Sequence, residues 1–460
     1  MPSVAFHTLG CKVNHYETEA IWQLFKTSGY ERAPFEKHAD VYIINTCTVT
    51  NTSDQKSRQI IRRAIRQNPQ AVVCVTGCYA QTSPAEVMSI PGVDIVVGTR
   101  DRDKLIGYIK QYQYEREPIN GVSDIMKAKV YEELDVPTFT DRTRASLKIQ
   151  EGCNNFCTFC VIPWARGLLR SRQPEAVIKQ AQQLVNAGYK EIVLTGIHTA
   201  GYGEDMADYN FAALLRDLEA KVVGLKRLRI SSIEASQITD EVIEVIDRSR
   251  VIARHLHIPL QAGSDSVLAR MHRKYTTDFF AKKIQKLRRA LPDFALTSDV
   301  IVGFPGETDD EFQETFDFIK NMQFSELHVF PYSQRTGTPA ATMPDQVDEA
   351  VKHERVTRLI ALSEQLSNAY AAHYQDKTVV VIPEEPMNHH EEDGYYVGFT
   401  DNYLKVKFRY PSHEIVGQLV RVKLTQTGYP LNEGVFLRKL DPLVTDEADQ
   451  QAMPISESSL

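Results

Sequence analysis

From Met1 onward the chain alternates short apolar runs with stretches of helical period. Val4 to Leu9, Val41 to Asn45, Ala71 to Thr76 and Val93 to Val97 read as strands, with helices near Tyr16 to Ser28 and Ser53 to Arg66. Strands separated by helices imply a parallel sheet covered on both faces, a doubly wound α/β domain. From Lys110 to Arg144 the pattern turns polar, charged and irregular, as an interdomain linker does. Alternation then resumes. Strands are expected at Ile192 to Leu194, Leu228 to Ile233, His255 to Leu260, Leu296 to Val302 and Glu326 to Phe330, with helices between them. Counting Ala145 to Gln150, six strand–helix units follow one another, which is the pattern of a partial (β/α)6 barrel. A helix near Val347 to His373 leads into short strands at Val379 to Ile382, Tyr395 to Phe399, Tyr403 to Phe408, Gly417 to Leu424 and Val435 to Leu440, a small β-barrel.

Composition narrows the partners. The 460 residues carry a formal charge of -7, which excludes a uniformly basic nucleic-acid coat and leaves only local basic patches. The first ten residues have no basic lead, and no stretch approaches the roughly 18 apolar residues of a membrane span. A soluble, cytoplasmic protein with no membrane partner is expected. Seven cysteines, clustered and odd in number, suit a reducing compartment where thiols serve metals.

Three of those thiols fall in the run Cys153-Asn154-Asn155-Phe156-Cys157-Thr158-Phe159-Cys160. A tight loop with this spacing turns three sulfurs onto one metal body, as thiolates hold iron–sulfur clusters, and leaves a fourth corner without a protein ligand. Zinc would need a fourth nitrogen or sulfur, and none follows before His198. Cys11, Cys47 and Cys78 each follow a predicted strand, and the carboxyl ends of parallel strands share one rim, so a second three-cysteine site is expected there. Cys74, inside an apolar run, reads as core. Asn14 and Asn45 read either as donors to these thiols or as turn formers.

At the barrel's strand ends, Phe159, Gly196, Ser232, Glu234, Gln261 and Gly263 form a candidate ligand pocket. Arg166 and Arg170, with Arg172, follow the cysteine loop and are placed to face a polyanion, the alternative being pairing with acids. Arg58, Arg62, Arg63 and Arg66 form a helical stripe open to either a phosphate or a solvent reading. Lys405, Lys407 and Arg409 alternate along one strand, and Arg421 with Lys423 along another, presenting cations on one face. Tyr395, Tyr396, Tyr403 and Phe408 can either stack on unpaired bases or fill the barrel core, and Phe408 reads as core.

The C-x3-C-x2-C motif resembles that of the radical S-adenosylmethionine superfamily. The chain from 1 to about 440 resembles the methylthiotransferases: residues 1–113 an N-terminal domain, 139–370 a radical core, 373–441 a terminal barrel of the TRAM type, and 442–460 an acidic, disordered tail. Leu9-Gly10-Cys11-Lys12-Val13-Asn14, Asn45-Thr46-Cys47-Thr48-Val49-Thr50 and Gly152-Cys153 to Cys157 look most like the branch acting on N6-threonylcarbamoyladenosine beside the tRNA anticodon. The resemblance implies two 4Fe-4S clusters. One, on Cys153, Cys157 and Cys160, would cleave S-adenosylmethionine to a 5′-deoxyadenosyl radical; an auxiliary one, on Cys11, Cys47 and Cys78, would carry the inserted sulfur. S-Adenosylmethionine would serve as both methyl donor and radical source, with an external electron donor. The alternatives are a methylthiotransferase acting on a ribosomal protein side chain and a noncatalytic iron–sulfur RNA-binding protein.

Overall fold

Fully buried runs such as Val41–Thr46 and Val72–Gly77 find both faces covered because helices flank a parallel sheet. In the computed structural model, which describes residues 1–134, 136–139, 143–386 and 394–440, that sheet has six strands: β1 (Ser3–Thr8), β2 (Glu31–Ala33), β3 (Val41–Thr46), β4 (Val72–Gly77), β5 (Ile95–Val96) and β6 (Ile119–Asn120). Their order is β2-β1-β3-β4-β5-β6, and every pair is parallel. The edge strand β2 has too few apolar residues to show in the sequence pattern. The stretch expected as linker from Lys110 instead completes the helix Leu105–Glu115 and supplies β6. The proposed tail and Glu391 with Glu392 lie outside the described residues.

The second sheet system begins with β7 (Ala145–Lys148); β8 (Gln150–Glu151) and β9 (Arg170–Ser171) form a small antiparallel pair. β10 (Glu191–Thr195) lies between β7 and β11 (Arg227–Ile230), and β13 (Ala295–Val302) lies between β12 (His255–His257) and β14 (Glu326–Pro331), all parallel. A parallel bridge Leu228–Ile252 and the bond from Ile233 N to His257 O, 3.0 Å, link the halves into six successive parallel strands. Helices start where polar caps meet orphan amides: Thr308 accepts from Glu311 N while Glu311 accepts from Thr308 N, a reciprocal cap for Asp309–Met322. One hydrophobic core fills this region, with Leu194, Leu256, Val300 and Phe304 fully buried.

The chain divides into two compact units, Met1–Ser367 and Asn368–Leu460. In the second, β15 (Thr378–Pro386), β16 (Tyr395–Thr400), β17 (Lys405–Arg409), β18 (Val420–Gln426) and β19 (Asn432–Lys439) close into a barrel in the order β15-β16-β17-β19-β18. Val406, Phe408, Val420, Val422 and Leu424 fill it, as alternate positions along each strand must.

Candidate active site

Because β1, β3 and β4 are parallel neighbours, Cys11, Cys47 and Cys78 emerge at one rim. Two glycines let them crowd. A Cβ on Gly10 (φ 104°) would stand 2.9 Å from Cys47 Cβ and 3.0 Å from its Sγ; one on Gly77 (φ 97°) would meet Asn45 Oδ1 and Thr46 O at 2.4 Å. Neither Asn is a turn former. Asn14 Nδ2 donates to Leu9 O (2.7 Å) and Thr46 O (3.0 Å), and Asn45 Nδ2 donates to Asn14 O (2.9 Å), so the pair ties the Cys11 and Cys47 loops together. Burial pushes the Cys78 thiol up to about 12, aided by the nearby Cys11 and Cys47 sulfurs and opposed by Arg166. Burial likewise raises Cys47. Cys74 is buried in the core, as expected.

The second triad lies in a loop turned by Phe156 at φ 48°. Cys160 N donates to Cys157 O at 3.0 Å, and Cys153 N to Gly167 O at 3.1 Å. Burial lifts Cys153 to about 11 and Cys160 to about 12, with the neighbouring thiols adding to it. Each triad receives one guanidinium: Arg273 Nη1 donates to Cys157 Sγ at 3.3 Å, and Arg166 Nε to Cys78 Sγ at 3.1 Å. A cation held against sulfur favours the thiolate, the form that binds metal.

The donor set bears on which metal body fits: among the described residues each site offers three thiols and no fourth, which matches the thiolate ligation of an iron–sulfur cluster with one corner open. Among the described residues, one set of three ligand-type side chains has its ligand atoms all within 4.8 Å of one another: His257, Asp299 and His328.

Arg166 corrects the expectation of a polyanion contact. It is fully buried, and its guanidinium reaches Glu17 Oε1 (2.5 Å), Asn14 Oδ1 (2.5 Å) and Glu151 Oε2 (3.3 Å) as well as Cys78. Arg170 is buried too, donating to Leu168 O (2.6 Å) and Arg166 O (2.9 Å), and Arg172 is held by Glu133 at 2.8 Å. Arg166 and Arg172 pair with acids and Arg170 with carbonyl oxygens, because an unpaired buried charge is too costly to keep. Around Glu17, on the helix that Cys11 opens, stand Arg102 Nη2 (2.9 Å), Lys148 Nζ (2.7 Å) and Arg166, and Lys148 also pairs with Glu151. A second tie runs from Arg335 to Thr48 Oγ1 (2.5 Å) and Asp54 Oδ2 (2.8 Å), fixing the turn after Cys47. None of Glu17, Arg102, Lys148, Glu151, Arg273 or Arg335 carries a sequence signal, since apart from the Lys148–Glu151 pair their partners are distant in the chain. In the arginine stripe, Arg58 pairs with Glu86 at 2.9 Å and Arg63 with Glu36 at 3.7 Å, while Arg62 and Arg66 are exposed.

A cavity of about 270 Å³ runs from Val49 and Thr50, just past Cys47, to Phe159 and Cys160, walled by Gln261, Asp299, Ile301, Phe330 and Tyr332. Of the expected pocket residues, Phe159 and Gln261 line it. Glu234 instead accepts from Asn155 Nδ2 (2.9 Å) and faces Arg273 Nη2 (3.1 Å), bracing the cysteine loop. Ser232 is half-buried just past β11. The two glycines do not open backbone to a ligand: a Cβ on Gly263 would meet Thr315 Cα at 2.7 Å, and one on Gly196 would meet Gln150 Oε1 at 2.9 Å. They are small because helix and side chain pack on them.

In the barrel unit, Lys405, Arg409 and Lys423 are exposed on the outside of their strands. Lys407 points the same way, pairing with Glu433 (3.2 Å) and covering the Tyr395 ring at 4.7 Å. Tyr396 and Phe408 are core, Tyr403 is half-buried and stacked on Phe399 with ring centroids 4.9 Å apart, and Tyr395 is exposed.

Comparison with known proteins adds the following. A profile of an uncharacterized protein family, UPF0004, matches residues 3–98, and that of the radical SAM superfamily matches residues 147–319. The chain is 71% identical over 97% of its length to the threonylcarbamoyladenosine tRNA methylthiotransferase of Bacillus subtilis, covering 99% of that protein. It is 38% identical to the Aquifex aeolicus protein of that name, over 91% of this chain and 99% of that one. It is also 36% identical to a tRNA-2-methylthio-N6-dimethylallyladenosine synthase of Clostridium novyi, over 91% of this chain and 93% of that one. Among solved structures, a radical S-adenosylmethionine methyltransferase of Kitasatospora setae, with cobalamin and a [4Fe-4S] cluster bound, superposes with a TM-score of 0.56 at 15% identity, over 74% of this chain and 77% of that one. That likeness concerns the fold. No helix among the described residues is long and apolar enough to cross a membrane.

Proposed function

The chain belongs to the radical S-adenosylmethionine methylthiotransferases, and from that premise we propose that it inserts a methylthio group at C2 of N6-threonylcarbamoyladenosine at nucleotide 37 of tRNA. The observation that carries this reading is one cavity reaching from Val49 and Thr50, in the turn after Cys47, to Cys160 of the other cysteine set. Cys153, Cys157 and Cys160 would hold one 4Fe-4S cluster, and Cys11, Cys47 and Cys78 the other. Bound there with S-adenosylmethionine, the two clusters would supply the radical and the sulfur, chemistry that side chains lack.

What the chain supplies is placement and exclusion. The buried charges joining Glu17 to Arg166 fix the Cys78 rim against the Cys153 loop, and Arg335 fixes the turn after Cys47. Phe159, Ile301 and Phe330 make the cavity wall apolar, so a base entering it sheds water. An external donor delivers the electron. The C-terminal TRAM-type barrel, through Lys405, Arg409 and Lys423, holds the phosphate backbone in this cytoplasmic enzyme.

Two measurements check these points. In nucleosides from a deletion strain, 2-methylthio-N6-threonylcarbamoyladenosine is expected to vanish, with its unthiolated precursor in its place; persistence of the product where no second enzyme exists would refute the assignment. A Lys405→Gln, Arg409→Gln double variant is expected to weaken binding to all tRNAs alike and to flatten the slope of log affinity against log salt by about one to two. An unchanged slope would remove this face from RNA contact.

A further inference from the structure

The cavity wall is mostly apolar, and its one carboxylate, Asp299, belongs to a built cluster. Asp299, at the middle of β13, lines the cavity and uses both carboxylate oxygens. Oδ2 lies 3.2 Å from His257 Nε2 on β12, and Oδ1 lies 3.2 Å from His328 Nδ1 on β14. The two imidazoles stack with centroids 5.5 Å apart, and His257 Nδ1 is further fixed by Thr297 Oγ1 at 2.9 Å. The hydrogen bond to Asp299 raises the His328 pKa above its ordinary value, burial opposing it, and Lys12, next to Cys11, lies within electrostatic reach of the same ring. His328 spends Nδ1 on Asp299, while its side chain is 48% exposed, which leaves Nε2 for a ligand. A carboxylate with two imidazoles and an ammonium nearby is out of place in a wall built only to enclose a flat base.

The named relatives differ in the N6 substituent of their target. One group takes a threonylcarbamoyl, which carries a carboxylate, a hydroxyl and urea N–H groups; the other takes a dimethylallyl, which carries none. Resting on the function proposed above, we propose that Asp299, His257 and His328 receive the polar N6 substituent and set the choice of a threonylcarbamoyl over an apolar group. His328 meets its carboxylate, and Asp299 accepts from its hydroxyl or N–H. An alkenyl group would leave the cluster dehydrated and unpaired, a mismatch that polar sites reject strongly.

The test uses cluster-loaded, full-length enzyme and anticodon stem-loops bearing threonylcarbamoyl-adenosine, dimethylallyl-adenosine or plain adenosine at nucleotide 37. The native enzyme is expected to favour the first by about 10- to 100-fold in kcat/KM. His328→Gln and Asp299→Asn are each expected to erase most of that preference through KM, with iron content unmoved. Retained selectivity and KM in both variants would overturn the proposal, as would kcat and iron falling together with selectivity intact, the mark of a merely structural role. A stoichiometric metal other than iron in the native protein, lost in His328→Gln, would replace it with a cation site. Native enzyme inactive on all three RNAs would instead strike the function itself.

Discussion

Replacing Cys157 by alanine is expected to abolish 5′-deoxyadenosine formation altogether and to lower bound iron from about eight to about four per chain. Cys157 sits mid-loop, buried, with Arg273 Nη1 on its sulfur at 3.3 Å. Cys78→Ala is expected to remove a similar amount of iron with a different consequence: S-adenosylmethionine is still cleaved, and the methylthio product is lost. Anaerobic iron counting combined with chromatography of both products separates the two. Native protein holding only about four irons would refute a second cluster, and 5′-deoxyadenosine from Cys157→Ala would refute the loop as the radical source.

The fold was legible wherever local pattern and burial agree. β3 and β4 are buried on both faces and show as unbroken apolar runs, and the alternation of Lys405, Val406, Lys407 and Phe408 along β17 put the right side chains outward. The two cysteine triads were legible for different reasons, one from spacing and one from topology, since strand ends in a parallel sheet must share a rim. Polar contacts between segments far apart in the chain were not. Arg166 looks in sequence like a cation beside a binding loop, and its burial follows from Glu17, which lies 149 residues away. Asp299, His257 and His328 stand on three neighbouring strands, up to 71 residues apart in the chain, and become one cluster only when those strands pair. Glycines misled in the opposite direction: Gly263 reads as a ligand-approach glycine, yet its missing side chain makes room for Thr315 on the helix Asp309–Met322.

Glu17→Gln is expected to destabilise the first unit by about 3–5 kcal/mol, the cost of stripping one partner from a buried ionic network. The network balances three acids, Glu17, Glu132 and Glu151, against three cations, Arg102, Lys148 and Arg166. Glutamine keeps the volume and removes the charge, which leaves a net cation in a region where Arg102 and Arg166 are both fully buried. Burial alone would raise the Glu17 carboxyl, but Arg102, Arg166 and Lys148 outweigh it and hold the group well below its ordinary value near 4.5. A depressed carboxyl stabilises the fold fully above that ordinary value, and the contribution fades as pH falls below it, because the unfolded chain takes up the proton first. The gap between native and variant urea midpoints, followed by circular dichroism on identically prepared proteins, is therefore expected to be widest at neutral pH. Below pH about 4.5 it narrows by about 1.4 kcal/mol per pH unit. A gap that stays constant to pH about 3.5 would show that shape, not charge, makes Glu17 matter. A gap that closes while iron retention at Cys11, Cys47 and Cys78 also falls would tie this charge balance to the rim it supports, because Arg166 touches both Glu17 and the Cys78 sulfur.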